Sequence, residues 1–153
     1  MGLWHLGCGG TAIRQVRRTQ TFRPAEVAPY RRSGTASIVG EALGPVRQAG
    51  ATVIAAPNTA YLCEEVFNNL LANDTFTTAA DPRAVYWRAQ ADAQGRFVFE
   101  GLPPGQYLVA TVFVQPRTVW NPRWRHQTTY LARQLAYTVV DLADGGAATV
   151  RLH

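Results

Sequence analysis

The segment from Asp92 to Val114, DAQGRFVFEGLPPGQYLVATVFV, constrains the fold more than any other part of the chain. In its second half apolar residues occupy both faces of an extended chain, with Tyr107, Val109, Thr111 and Phe113 on one face and Leu108, Ala110, Val112 and Val114 on the other. Such a strand suits a central position in a sheet, because it can be buried on both sides. We therefore predict a layered β protein built around this strand.

Six further segments have the length and composition of strands, and glycine or proline marks most of the turns between them. With the central strand at Gln106–Val114, they are Thr35–Ala42, Ala51–Pro57, Ala84–Ala91, Arg96–Leu102, Thr129–Val140 and Ala147–His153. The turn at Asp92–Gly95 predicts a hairpin between the third and fourth strands, since Gly95 tolerates a positive φ. Seven strands at short spacing predict an all-β, two-sheet sandwich.

A helix is predicted between the second and third strands, near residues 59–72. The sequence TAYLCEEVFNNLLAN places apolar residues at spacings of three and four, and Thr59 suits the N-cap position. The apolar stripe consists of Leu62, Val66, Phe67, Leu70 and Leu71. Glu64 and Glu65 project about 100° apart, which favours a solvated face over a paired-carboxylate acid/base site.

The net charge of +5 belongs to the beginning of the chain. Residues 1–32 contain six arginines and one glutamate, whereas residues 33–153 contain nine arginines and nine acidic residues. We predict a basic, poorly structured arm or tether over residues 1–32, with Phe22, Val27 and Tyr30 as its contacts, and one sandwich domain over residues 33–153. The neutral domain lacks the basic face that phosphate contacts require, which argues against a nucleic-acid partner.

The central segment also carries a motif, a G-x-F-x-F turn and strand followed by L-P-x-G-x-Y-x-V. The matching residues are Gly95, Phe97, Phe99, Leu102, Pro103, Gly105, Tyr107 and Val109. This motif resembles the carboxypeptidase regulatory-like domain, a sandwich of the prealbumin (transthyretin-like) type, in which these residues are structural. Over about Phe22 to Leu152 the chain is also similar to single-domain bacterial proteins that are secreted or lipid-anchored. The resemblance therefore implies a prealbumin-like fold at the cell envelope or outside the cell.

In lipid-anchored proteins of that kind a short box ends in Gly-Cys, and LGCGG has Leu6, Gly7 and Cys8 in this order. Cys8 is thus a candidate for lipid attachment, although only Met1–Leu6 precede the Gly-Cys pair and form no complete signal sequence. Two alternatives for Cys8 stay open, a free thiol and a disulfide with Cys63. No stretch approaches the ~20 apolar residues that span a bilayer.

No catalytic site assembles from the sequence. The three histidines, His5, His126 and His153, are dispersed, so we expect neither a metal nor a cofactor. Transthyretin-like hydrolases share the fold but end in Tyr-Arg-Gly-Ser, whereas this chain ends in VRLH. Cys63 with His126 would be a conceivable pair, but a cysteine on an amphipathic helix is typical of a core. We therefore predict that the protein is not an enzyme.

One segment, RTVWNPRWRHQTTY from Arg117 to Tyr130, combines cationic and aromatic residues. We predict it to be a loop, with Arg117, Trp120, Arg123, Trp124, Arg125, His126 and Tyr130 as binding residues. Guanidinium groups beside aromatic rings suit sugar faces, anionic glycans or lipid headgroups. In the alternative interpretation, the tryptophans close the open end of the sandwich and the arginines extend over them.

Three hypotheses of function follow. The first is a non-catalytic binding or structural module of the bacterial envelope or exterior, whose partner is a glycan, an envelope component or another chain. The second is a carbohydrate- or anion-binding protein, or a transthyretin-like enzyme, that uses the segment 117–130. The third is a subunit that assembles through an edge strand, since unpaired ladder groups can accept a strand from a neighbour.

Overall fold

The computed structural model describes residues 19–44, 50–72 and 81–153. Two short helical segments come first, α1 (Pro24–Val27) and a 3₁₀ turn (Ala28–Tyr30), and a longer helix, α2 (Ala60–Ala72), lies between the second and third strands. The strands are β1 (Ala36–Ala42), β2 (Thr52–Pro57), β3 (Trp87–Gln90), β4 (Arg96–Leu102), β5 (Gly105–Asn121), β6 (His126–Leu142) and β7 (Ala147–Leu152). Within the described residues, no helix is long and apolar enough to cross a membrane.

The seven strands of the described residues form two sheets. One has the order β4-β1-β7 and the other the order β3-β2-β5-β6. All pairs are antiparallel except β1 and β7, which run parallel. The predicted all-β architecture and the helical insertion are therefore confirmed, and β5 lies inside the larger sheet, as its two apolar faces predict.

β5 joins two hydrophobic cores. Between the sheets, its residues Tyr107, Val109 and Phe113 pack with Ile38, Val53, Phe97, Phe99, Leu102 and Val150. On the opposite face, Leu108, Ala110 and Val112 pack with Ile54, Val66, Phe67 and Leu70. The molecule thus has three layers, the three-stranded sheet, the four-stranded sheet and α2, and each face of β5 is covered by one neighbour.

α2 begins as predicted, because the Thr59 hydroxyl accepts a hydrogen bond from the Leu62 N–H at 3.1 Å. The prediction of a solvated face for both glutamates is wrong for Glu65, which is 1% exposed. Its carboxylate accepts hydrogen bonds from the Asp81 N–H at 3.1 Å and from the Asn69 amide at 3.2 Å. The chain returns over the helix at Asp81, so a residue distant in sequence covers Glu65, which helical spacing alone does not reveal.

The predicted hairpin between the third and fourth strands is also wrong, although its turn is present. Gly95 has φ 81°, and its N–H donates to the Asp92 carbonyl at 3.0 Å. β3 nevertheless pairs with β2, while β4 pairs with β1 in the other sheet. A short turn can join strands across two layers as well as within one, so long-range pairing decides which occurs.

Residues 19–32 contact the domain, and Tyr30 does so beside the LPPG turn, residues 102–105. The Tyr30 hydroxyl accepts a hydrogen bond from the Gln106 N–H and donates one to the Gln106 carbonyl, both at 3.0 Å. A Cβ atom on Gly105 would lie 2.6 Å from the Tyr30 ring, which explains the glycine of the motif. The buried Tyr107 donates its hydroxyl to the Pro103 carbonyl, and burial raises the pKa of Tyr107. Val27 is buried as well.

Two adjacent leucines of α2 test this packing. Leu70 is fully buried, whereas Leu71 is only half-buried, although both belong to the predicted apolar stripe. We expect Leu70→Ala to lower the free energy of unfolding by about 2–5 kcal/mol, because it leaves a cavity between helix and sheet. Leu71→Ala should cost clearly less. Urea unfolding measures both values, and equal losses would contradict the described orientation of α2.

Candidate functional site

The segment predicted to be a binding loop is in fact a β-hairpin. β5 and β6 pair residue by residue from Gly105–Leu142 to Asn121–His126 without a register shift. β2 accompanies β5 only as far as Thr111. Beyond that point the two strands continue as a two-stranded ribbon, and we call its residues 114–133 the Trp/Arg hairpin.

The two prolines of this segment, Pro116 and Pro122, each have a place in the hairpin. Pro116 lies beyond the last pairing with β2, where β5 has one described neighbour and the missing N–H is tolerated, as on an edge strand. Pro122 lies in the turn. The two strands of the hairpin also contain β-branched and aromatic residues, which favour strands, namely Thr118, Val119, Trp120, Thr128, Thr129 and Tyr130. Both prolines are therefore compatible with the hairpin, because the cost of a proline in a strand depends on which side of the strand is paired.

The turn of the hairpin, Pro122–Arg125, is organised by a side chain. The amide oxygen of Asn121 accepts hydrogen bonds from the N–H groups of Arg123 at 3.0 Å and Trp124 at 3.3 Å. Arg125 takes the positive φ of 50° that reverses the chain. His126 lies beside the turn, with its Nδ1 3.3 Å from the Trp124 carbonyl oxygen. The turn thus holds the backbone on both sides of Trp124 in place.

The antiparallel register distributes the predicted binding residues over two faces and the tip. One face carries Arg117, Val119, His126, Thr128 and Tyr130, whereas the other carries Pro116, Thr118, Trp120, Gln127, Thr129 and Leu131. Arg123, Trp124 and Arg125 form the tip. The structure therefore brings all seven predicted residues onto one element but not into one pocket.

The aromatic residues of the Trp/Arg hairpin are exposed. Trp124 is 64%, Trp120 55% and Tyr130 49% exposed, so the alternative that the tryptophans close the end of the sandwich does not hold. Val119 and Leu131 are exposed too, and the sequence-based prediction did not include them among the binding residues. Five of the seven most exposed large apolar residues of the described chain lie on this hairpin. A cluster of this kind is typical of an interaction surface.

The charges of the Trp/Arg hairpin all have one sign. Residues 114–133 contain four arginines and no acidic residue. Arg117, Arg123 and Arg125 are exposed, and no carboxylate of the described residues pairs with them. The Arg123 guanidinium carbon lies 5.3 Å from the centroid of the Trp124 ring, within the range of a cation–π contact.

The other candidates for chemistry are placed differently. Cys63 is a buried residue of α2 and is disulfide-bonded, so it offers no thiol for catalysis. His126 is exposed on the hairpin, and His153 is exposed at the last position. Within the described residues no group of three His, Cys, Asp or Glu side chains could hold a metal ion. Cys8 and His5 lie outside the described residues.

A polar cluster around Asp81 joins residues 19–32 to α2. The carboxylate of Asp81 accepts hydrogen bonds from Arg83 through Nε at 3.1 Å, Nη2 at 2.9 Å and the backbone N–H at 2.9 Å, and from the Tyr61 hydroxyl. The Arg83 side chain and Tyr61 hold the pKa of Asp81 well below its usual range. Phe22 lies under the guanidinium of Arg83, 4.2 Å from ring centroid to Cζ. Asp81 thus organises the turn that begins at its own position.

A cavity of about 300 Å³ adjoins this cluster and is lined by Gln20, Thr21, Arg23, Glu26, Ala60 and Tyr61. Its walls are mainly polar and come from residues 19–32 and the start of α2. It does not include any of the predicted binding residues. The cavity and the Trp/Arg hairpin are therefore separate features of the molecule.

No protein-family model and no curated protein matches the sequence. Among solved structures, the chain is similar to a protein from Pseudomonas aeruginosa described as a "putative carbohydrate binding protein". The TM-score is 0.63 and the sequence identity 20%, over 87% of this chain and 97% of the other. At this identity the similarity concerns the fold, which both proteins share over most of their length.

Asp81→Asn tests the polar cluster. A carboxylate with a lowered pKa stabilises the fold above its ordinary pKa of 3.8, and that contribution is lost as the pH falls through this value towards the lowered one. We expect the substitution to lower the free energy of unfolding at neutral pH and to flatten its decline in acid, as measured by urea unfolding at several pH values. Asp144→Asn, which removes an exposed carboxylate, is the control. Identical acid profiles for Asp81→Asn and the wild type would contradict the assignment.

The state of Cys63 can be read from a peptide map of the unreduced protein. We expect Cys63 to resist alkylation in denaturant until a reductant is added, because it is disulfide-bonded. The chain has two cysteines, so a disulfide within one chain and a lipid on Cys8 exclude each other. Alkylation of Cys63 without reductant would contradict the prediction, and the same map shows whether Cys8 carries a lipid.

Proposed function

We propose that this protein is a non-catalytic binding module and that the Trp/Arg hairpin is its binding surface for a glycan. The observation that carries the proposal is the exposure of Trp120, Trp124 and Tyr130 on a hairpin that also bears arginines. Keeping large aromatic rings in water is unfavourable, at about 25 cal/mol per Å² of apolar surface. A ligand that covers the rings on one face or at the tip gains that free energy on binding.

A sugar ring matches such a surface chemically. The C–H groups of a pyranose form an apolar face that packs on an aromatic ring, while its hydroxyl groups find hydrogen-bond partners around the ring. Tyr130 has Arg117 opposite it in the ladder, and Trp124 has Arg123 beside it, so each of these rings has a donor group next to it. The continuous pairing of β5 and β6 fixes the order and spacing of these groups along the hairpin, and such preorganisation favours binding.

The description of the Pseudomonas aeruginosa protein, which has a similar fold, agrees with a glycan ligand. The absence of a catalytic function is part of the proposal. It is supported by the bound state of Cys63 and by the exposed, isolated positions of His126 and His153 in the described chain.

We further propose that the sandwich is of the prealbumin type, as the resemblance to the carboxypeptidase regulatory-like domain implies. The burial of Phe97, Phe99, Leu102, Tyr107 and Val109 supports this proposal, since the motif residues of that domain are structural. The same resemblance is the reason to propose that the protein acts at the envelope or outside the cell. Fractionation of the native host with an antibody against this protein tests the location, and a purely cytoplasmic signal would contradict it.

A glycan array tests the proposed function. We expect the wild type to bind at least one class of glycan, and a variant that combines Trp120→Ala, Trp124→Ala, Arg123→Ala and Arg125→Ala to lose at least about tenfold in affinity, because its rings and donors are gone. Val98→Ala is the matched control, since Val98 is also exposed but lies on the three-stranded sheet. Unchanged glycan binding by the folded quadruple variant would contradict the proposal.

A further inference from the structure

The charges of residues 33–153 are divided unequally between the Trp/Arg hairpin and the rest of the domain. The hairpin, residues 114–133, has four arginines and no acidic residue. The remainder of residues 33–153 has five arginines and nine acidic residues. The neutral total therefore conceals a cationic ribbon on an acidic body, and a ligand at the ribbon experiences the local charge rather than the total.

We infer that the glycan bound by the Trp/Arg hairpin is acidic and that its sugar rings carry carboxylates. This inference rests on the proposed function and specifies its ligand. Arginine is suited to carboxylate recognition, since its planar guanidinium donates two parallel hydrogen bonds to the two oxygens. The guanidinium groups of Arg117, Arg123 and Arg125 have no carboxylate partner among the described residues. They are therefore available to a carboxylate of the ligand.

The hairpin repeats one combination, a ring beside a guanidinium, at two places. Arg117 and Tyr130 are directly opposite each other on one face, where Cβ atoms are about 5 Å apart. Arg123 and Trp124 form the second pair at the tip. A pyranose ring that packs on either aromatic residue places a carboxylate on its rim within reach of the adjacent arginine.

The spacing of the two pairs requires an oligomer. The pair at Arg117 and Tyr130 lies four ladder positions from Asn121 and His126, where the turn begins, and this corresponds to roughly 13 Å. Trp124 lies beyond that position. A single sugar is too small to contact both places, so the inferred ligand is a chain of several acidic units that runs along the ribbon.

A second copy of this chain fits the hairpin less well. Edge-to-edge pairing of two hairpins would bring eight arginines together without an acidic residue from either hairpin, and like charges across an interface oppose association. Among the described residues no strand pairs with the outer edge of β5 beyond Thr111, and the arginines of the hairpin protect this edge by their charge, as on many edge strands.

The experiment is calorimetric titration of the full chain with oligogalacturonate and with the same oligomer after reduction of its carboxylates, which is neutral. We expect the acidic oligomer to bind at least about tenfold more tightly, with an affinity that falls as NaCl rises from about 50 to about 500 mM. Arg117→Gln combined with Arg123→Gln should abolish the preference for the acidic oligomer. Arg88→Gln removes one exposed arginine outside the hairpin and should leave the preference unchanged.

The outcomes separate this inference from the proposed function. Equal affinity for the acidic and the neutral oligomer, with dependence on Trp124 and Tyr130, would overturn the acidic ligand but leave glycan binding in place. An equal loss of affinity in Arg88→Gln, or tighter binding of a single-stranded oligonucleotide of the same charge, would show general electrostatic attraction and overturn the inference. If neither oligomer binds while the glycan array shows a hairpin-dependent neutral ligand, the inference fails alone.

Discussion

The structure depends on one strand, β5, whose first half is apolar on both faces. Tyr107, Val109 and Phe113 require one apolar layer, and Leu108 and Val112 require another. The three-stranded sheet covers the first set and α2 covers the second. Removing either layer would leave a row of large side chains in water, and their burial is the main source of stability in a domain of this size.

The second half of β5 pairs with β6 in the same way as the first half, but its side chains have different surroundings. β5 and β6 form hydrogen bonds with each other along their facing edges. Their ladder therefore continues to Asn121 after β2 has ended. In the described structure, residues 116–120 and 122–130 are exposed. Aromatic and cationic groups on the hairpin, such as Trp124 and Arg117, therefore contribute little to the core, although the base of the hairpin is part of it.

Residues 19–32 include Tyr30, which shows that a residue distant in sequence can explain the glycine of a local motif. Tyr30 packs on Gly105 and bonds to both backbone groups of Gln106, so the glycine of the LPPG turn makes room for a ring that lies some seventy residues earlier in the chain. Apolar residues in a polar segment predicted that Phe22, Val27 and Tyr30 would contact the domain. Their partners, among them Arg83, could not be predicted, because short-range patterns contain no information about distant contacts.

The sequence by itself determined the strands, the helix and the inward faces. Period-two alternation and the spacing of Val66, Phe67 and Leu70 are local consequences of backbone geometry. Only the tertiary structure decided that β3 and β4 belong to different sheets, that Glu65 is buried and that the Trp/Arg segment is a hairpin with two faces. These outcomes depend on which strand pairs with which and where a neighbour ends, and both are settled by packing between parts of the chain that lie far apart in sequence.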